Sequence, residues 1–419
     1  MGEMLWTTHK ALDSPSFAGR PLQANASGEA QEAYAVTAER RSVASIGEIA
    51  EDWRRLADGA AEPNYFYGPD FVQAALRNQS EGGKVTLLCS WKAHASERRL
   101  IGLMPLTRPL FYWGIPLPLH HSWRNKYGHC SAPLLARGDE IRAARSLLDA
   151  LGEDRFGASA LYLHEIDVEG PAFRALRSVL EERGLAWREI RRVARTIATP
   201  SEDIDAFMAR SMSRTRRYKL RKARRNLEKR GTVKFELLRG ERQVTEGLKS
   251  FMAVEKAGWK GRLGSAMGCR ASTTALLYEG FRGGTGATGG ACARLSLDGR
   301  PIAVSVIAVS GDTLWTPKIA YDEAYAKYSP GVLLAMSIVE AAGSGLGVTR
   351  IDSASRPESW IEHYWDERLQ LADILVATRP GVSAARLNWL ARLDRLRREF
   401  GLRLRRSHDR AKDEAHHNA

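Results

Sequence analysis

The sequence predicts an α/β (α+β) protein of two related domains, each a mixed central sheet flanked by helices. Three observations carry that expectation. The 419 residues leave room for two or three domains, and an apolar fraction of 44% is that of a chain that fills globular cores. The order hairpin, loop, helix, strand, helix, strand occurs twice, as a repeat of element order and not of residues. Between Ala303 and Leu334 a strand ends at Val309, Gly311-Asp312 turns it, a second strand runs from Thr313 to Ala320, and a polar loop, Tyr321 to Ser329, feeds a helix opened by Pro330-Gly331.

Residues 1–40 are rich in Ala, Ser, Gly and Gln without periodicity and read as a tail. Ile46, Ile49, Trp53 and Leu56 then recur at helical spacing, and a second helix follows Gly68-Pro69-Asp70 with Phe71, Val72, Ala75 and Leu76 inward. Val85–Trp91 and Leu100–Leu106 read as a hairpin. An irregular aromatic segment, Pro109 to Pro133, holds Trp113, His120, His121, Trp123 and Tyr127. A helix (Glu140–Leu151), a strand (Ala160–Ile166), a helix (Ala172–Arg183) and a strand from Leu185 complete a first domain, 41–195.

The second domain, 196–380, repeats that order after a basic helix. A strand (Thr232–Leu238), helices near Arg242–Ala257 and Ser272–Phe281, and a Gly-rich loop (Gly283–Gly290) lead to strands at Ala291–Leu297 and Pro301–Val309. After the third strand and the Pro330–Ala342 helix come a strand (Val348–Ser353), a short helix (Glu358–Trp365) and a last strand (Leu369–Thr378). Residues 381–419 are basic and amphipathic, with Leu387, Trp389, Leu390, Leu393, Leu396 and Phe400 along one side. They read as a helix packed on the body or, as the second reading, one that lies on a membrane surface or a partner.

Composition bounds the chemistry. The net charge of +14 attracts anions: phosphates, nucleic acid or a membrane surface. No apolar run is long enough to span a bilayer, and Met1-Gly2-Glu3-Met4 does not begin a signal peptide. Cys89, Cys130, Cys269 and Cys292 lie far apart without metal-ligand spacing, as expected of reduced cysteines in a cytoplasmic protein with no bound metal. No Gly-x-Ser-x-Gly elbow, Walker loop or His-Glu-x-x-His occurs, which disfavours hydrolase, NTPase and zinc-protease chemistry.

Two features point to an anionic ligand. Ser329 is placed to cap the helix and Pro330 to begin it, so the amides of Gly331, Val332 and Leu333 would face outward, where anions are favoured; the plain alternative is a good helix start. Only the second domain has this loop, which places the working site there and makes the first domain a degenerate copy. In Ser211–Arg230, Lys and Arg dominate against a single acid, Glu228, over apolar positions Leu220, Ala223 and Leu227 preceded by Ile204, Phe207 and Met208. Like charges at i, i+4 repel, so an anion-facing role outweighs a merely solvated face. Few aromatic residues, Tyr218 excepted, argue against single-strand stacking. Glu255 and Trp259 share a helix face, Trp259 suiting either a ligand wall or the core. Asp352 ends an apolar strand, as an active-site carboxylate or an N-cap does, and His363 follows on a short helix where a lone His is commonly structural.

Taken together, the run Arg214–Gly231 and the segments EKAGWKGRLGS, LDGRPIAVSV, KIAYDEAYAKYSPGVLL, IDSAS and HYWDERLQLADILVA resemble the CelD-like branch of the GNAT acetyltransferases, named for cellulose biosynthesis and related to the tandem-GNAT Fem transferases. The resemblance covers about residues 40–380 and is densest over 205–375. It implies two tandem GNAT-like domains, acyl transfer from acetyl-CoA or another acyl-CoA, and a bacterial cytoplasmic setting, at most peripheral to the inner membrane. It places the CoA pyrophosphate on Lys327, Tyr328, Ser329, Gly331, Val332 and Leu333. The usual Q/R-x-x-G-x-G/A form is reduced to Gly331, with Pro330 removing one donor and Lys327 supplying charge. Acyl transfer needs a base and an oxyanion donor. Glu255 or Asp352 is the expected base; Lys318, Asp322 or His363 would orient an amine or hydroxyl acceptor of a small molecule or sugar precursor, beside Trp259 and Lys260. Direct attack is expected, since no cysteine is marked as a nucleophile. Two other classes remain: a Fem-like aminoacyl-tRNA-dependent transferase with the basic helix on RNA, and a non-catalytic scaffold of a polysaccharide machine.

Overall fold

The computed structural model describes residues 34–79, 85–94, 97–109, 119–153, 158–284 and 288–399. Its first half comprises β1 (Ala35–Ser42), α1 (Ile46–Asp58), α2 (Pro69–Asn78), β2 (Val85–His94), β3 (Glu97–Thr107), β4 (His120–Ser122), β5 (Leu134–Leu135), α3 (Glu140–Gly152), β6 (Ala160–Asp167), α4 (Pro171–Glu182) and β7 (Trp187–Ala198). The second comprises α5 (Ile204–Ser211), α6 (Arg214–Glu228), β8 (Val233–Leu238), α7 (Glu241–Ala257), α8 (Trp259–Arg262), α9 (Ala271–Gly280), β9 (Gly289–Leu297), β10 (Arg300–Ser310), β11 (Thr313–Tyr321), α10 (Pro330–Gly343), β12 (Arg350–Asp352) and β13 (Glu367–Ala377). A last helix, α11, covers 384–399.

All the strands belong to one mixed sheet, in the order β1-β2-β3-β4-β6-β13-β7-β12-β11-β10-β9-β8, with β5 paired to β3. Neighbours run antiparallel except β4 with β6 and β11 with β12, whose parallel pairing follows from the crossover helices α3 and α10 between them. The two halves mirror each other about the centre, but their last strands are exchanged. β13 pairs β6 of the first half, and β7 pairs β12 of the second. Long matched registers, Trp187–Ile197 against Glu367–Val376, join β7 and β13 and with them the two halves. One apolar cluster centres on Trp53, Phe66, Phe71, Leu103 and Leu147, another on Phe207, Ile302, Leu334, Val339 and Trp365.

Several expectations change in detail. Residues 35–40, read as tail, form most of β1, an edge strand with no buried residue, where Glu39 and Arg41 occupy half-exposed positions and so break any apolar alternation. The tail before them, Trp113, the middle of the Gly283–Gly290 loop and Phe400 lie outside the described residues. The apolar positions 204–208 and the basic run are two helices: Met212 is extended and the Ser213 hydroxyl accepts from the Arg216 amide, capping a fresh start. The 321–329 loop is mostly a 3-10 turn, Glu323–Tyr328, capped by Asp322. On α11, Leu387 and Leu390 are buried while Trp389 and Leu396 are exposed, so only part of the apolar stripe packs on the body.

One buried carboxyl invites a direct test. Glu62 is 6% exposed and accepts from the Ala172 amide in the first turn of α4; a Cβ at Gly170 would collide with that carboxylate. Burial, reinforced by nearby Asp167, pushes its pKa up to about 7 despite the Ala172 hydrogen bond. Below the ordinary value of 4.5 the group is neutral in both states. Between 4.5 and about 7 the unfolded chain ionises first, so stability falls as pH rises, and the full cost applies above 7. Glu62→Gln keeps an acceptor for Ala172 without the charge. Its unfolding free energy, read from thermal or denaturant melts, should exceed the wild type's by a gap that widens from pH 5 to pH 8, up to about 3 kcal/mol; a gap independent of pH contradicts the assignment.

Candidate active site

β11 and β12 pair only from Thr313↔Arg350 to Trp315↔Asp352. Beyond that point Ala354 takes φ 51°, turning the chain away, and the strands part. On its other side β11 carries a bulge: the register passes from Ala308↔Trp315 to Val306↔Lys318, so Thr316 and Pro317 face Ile307 alone. Peptide groups of 316–320 that point away from β10 therefore have no strand to bond. The gap forms a wedge of about 140 Å³ between Thr316, Pro317 and Ile319 on β11, Ala335 and Ile338 on α10, and Ser353–Ser355 after β12, closed by Trp360, Ile361 and Trp365. Trp365 is 1% exposed and its indole Nε1, a donor, has no partner among the described residues. A buried orphan donor in a mostly apolar slot suits a ligand carbonyl.

The start of α10 differs from expectation. Ser329 lies in the left-handed region (φ 53°), its side chain makes no capping bond, and its carbonyl accepts from the amides of Val332 and Leu333. Of the three amides expected to face outward, only Gly331's lacks a partner among the described residues, and Gly331, Val332 and Leu333 are all buried residues. The reason is ordinary helix geometry: the residue before the helix receives the third and fourth amides. Lys327 is exposed, its ammonium 5.1 Å from the Tyr328 ring centroid. Basic α6 packs beside the 323–328 turn and carries exposed Arg214, Lys219, Lys222 and Arg225, with ion pairs at Arg221–Asp205 and Arg224–Glu228.

Successive strand residues face opposite sides of the sheet. Ile319 lines the wedge over α10, whereas Lys318 faces α7 and the loop after β4, its Nζ 5.2 Å from the Tyr127 ring. Burial, with Lys260 and Lys126 nearby, lowers the Lys318 pKa, and Glu255 opposes that. Glu255 is 5% exposed; one oxygen takes the Lys260 ammonium at 2.8 Å and the other the Met267 amide at 2.8 Å. The structure thus brings Glu255, Lys260, Lys318 and Tyr127 together. Both oxygens of Glu255 are already taken by donors, whereas the amine of Lys318 is half-buried with a lowered pKa.

The other expected residues sit apart from this cluster or are committed to structure. Asp352 is 2% exposed, accepts from the Ala354 amide at 2.7 Å and pairs with Arg195 at 3.5 Å, an arrangement that forms the turn opening the wedge. Asp322 caps the turn through Ala324 and pairs with Arg300 at 2.7 Å. Trp259 is 54% exposed, so it is not a core tryptophan, and its amide donates to Glu323. His363 is exposed at the end of a 3-10 turn, its carbonyl accepting from Arg216. Burial pushes the thiols of Cys89, Cys130 and Cys292 up to about 12, which leaves no thiolate there for a covalent route.

Sequence reasoning missed Thr316, Ala335, Trp360 and Trp365 as wedge residues. The apolar ones look like any core position; the Thr-Pro pair inside a strand was the one available signal, because proline there marks a bulge.

With this geometry in place, residues 214–360 match the family model of an acetyltransferase (GNAT) domain, a segment that runs from α6 to the wall of the wedge. No curated protein matches the chain. Among solved structures, FemX is 13% identical, with 81% of this chain and 96% of that one covered at a TM-score of 0.49. The C-terminal domain of a putative lysylphosphatidylglycerol synthetase from Agrobacterium fabrum is 12% identical, covering 82% and 96% at 0.45. A tandem GNAT protein from the clavulanic acid biosynthesis pathway is 11% identical, covering 82% and 99% at 0.36.

Proposed function

We propose that this protein is an acyltransferase that takes its donor, acetyl-CoA or another acyl-CoA, into the wedge between β11 and β12. The observation that carries this is the wedge itself, whose lining from Ser305 to Trp360 belongs to the segment that matches an acetyltransferase domain, with Ile361 and Trp365 just past its end. An extended amide-bearing arm would bond along the open edge of β11 as an added strand does, with a carbonyl toward Trp365 Nε1. The donor's phosphates would lie toward the Gly331 amide, Lys327 and the exposed cations of α6. Its thioester would reach through the gap to the face that carries Lys318.

There an amine or hydroxyl of a small-molecule or sugar acceptor attacks the thioester carbonyl. The new C–N or C–O bond forms, the C–S bond breaks, the acceptor's proton passes to Lys318 and the thiolate leaves. In this reading Lys318 replaces Glu255 and Asp352 as the proton acceptor, and the Glu255–Lys260 pair sets its charge environment. A second reading has one specific support: exposed α6 cations without acid partners among the described residues fit a longer polyanion, such as the tRNA of an aminoacyl-tRNA donor.

Calorimetric titration with acetyl-CoA and with longer acyl-CoAs, followed by release of free CoA thiol in the presence of amine and amino-sugar acceptors, tests the proposal. Saturable binding and acceptor-dependent thiol release are expected. Absence of binding by every acyl-CoA, with RNA co-purifying, favours the tRNA donor; absence of both leaves a scaffold.

A further inference from the structure

A larger cavity, of about 640 Å³, opens where the β4–β6 pairing stops at His121↔Tyr162. It is the first half's counterpart of the wedge, but it is built from the whole chain. Residues 354–357 after β12 close one side, and α11 contributes Asp394, Arg397 and Arg398 from another. Seven Lys or Arg side chains line it against two acids, Glu165 and Asp394. Glu165 alone receives three guanidiniums, Arg124 at 3.0 Å, Arg191 at 2.8 Å and Arg195 at 3.0 Å. Counting Asp352 and Asp373, which pair with Arg195, Arg191 and Arg398 from behind, positive charges still exceed negative ones by three. Such an excess over a concave, partly buried surface calls for an anion.

Two further observations point the same way. Arg195 lines the cavity, is 4% exposed, and its Nε has no partner among the described residues. His121, His129 and His164, also in the lining, have lowered pKa values: burial first, then His164 and Arg397, holds His121 at about 3; burial, then Arg195 and Lys318, holds His129 at about 3; and burial, against Asp373, holds His164 at about 4. The cavity also borders the chemistry. Ala354 and Ser355 line both it and the wedge, and Lys126 and His129 carry its wall toward Lys318.

We propose that this cavity holds a phosphate or pyrophosphate group of the acceptor, fixing it so that its nucleophile meets the donor beside Lys318. The assignment of the bound molecule as acceptor rests on the transferase reading; the anion site itself does not. Arg356 and Lys126 are exposed rim cations without ion pairs among the described residues, so their replacement should leave the fold intact.

Inorganic pyrophosphate serves as the probe, titrated calorimetrically into the full chain with and without saturating CoA. Pyrophosphate should bind in both cases, and Arg356→Glu and Lys126→Ala together should weaken it at least tenfold while CoA affinity stays unchanged. Flotation with phosphatidylglycerol or phosphatidylcholine vesicles distinguishes the source. Anionic-vesicle binding lost in the same variant identifies a lipid headgroup, and pyrophosphate binding without flotation a soluble phosphorylated acceptor. The proposal is overturned if pyrophosphate binding survives the rim variant, or is lost instead in Lys219→Ala/Lys222→Ala on α6. Failure of CoA to bind, with rim-dependent pyrophosphate binding intact, would remove the transferase reading and leave the anion site.

Discussion

Thr316→Trp is expected to weaken acyl-CoA binding by at least about 100-fold, roughly 2.7 kcal/mol, without unfolding the protein. Thr316 is half-buried on the bulge and projects into a slot of about 140 Å³ whose other walls are helix α10 and the chain after β12. An indole there occupies the space that the donor arm requires and covers the open edge of β11. The same substitution in a packed core would cost about 1–3 kcal/mol through overcrowding, but here the new side chain enters an existing void. Titration with CoA and acetyl-CoA measures the loss, and circular dichroism with thermal melting confirms the fold. Undiminished affinity in a folded Thr316→Trp protein would place the donor elsewhere and remove the basis of the transferase reading.

Lys318→Met should reduce turnover by about 1,000-fold while acyl-CoA affinity changes little. Methionine keeps an apolar stem near Tyr127 and removes only the amine. A proton acceptor works when deprotonated, so the rate rises with pH through its pKa. Because burial and the neighbouring Lys260 and Lys126 lower that pKa, the rising limb of kcat/KM should lie below the ordinary lysine range and vanish in Lys318→Met. Glu255 raises the same pKa, so Glu255→Gln should move the limb to lower pH. A limb unmoved by Glu255→Gln and still present in Lys318→Met assigns the proton transfer to another group.

Most helices and strands were legible because their signals are local. The 3.6-residue spacing of Ile46, Ile49, Trp53 and Leu56 marks α1, and the apolar runs flanking Gly311-Asp312 mark β10 and β11. The short strands β4 and β5, of three and two residues, carry no period and were invisible. The site was legible in the same uneven way. Ser329-Pro330-Gly331 located the start of α10, yet the path of its amides depends on Ser329 adopting φ 53°, which residue type alone does not specify. Asp352 read equally well as catalyst or cap, and its buried partner Arg195, 157 residues away, directs it to structure. The arginines that line the cavity come from the loop after β4, β7, the segment after β12 and α11, so the charge-rich site exists only after folding.

The trade of final strands between the halves makes the protein indivisible. Cutting the chain after β7 leaves a leading fragment whose closing strand was shaped for β12, and a trailing one whose β13 belongs against β6. Each piece would display unsatisfied backbone along a flat border, the condition under which sheets recruit strangers.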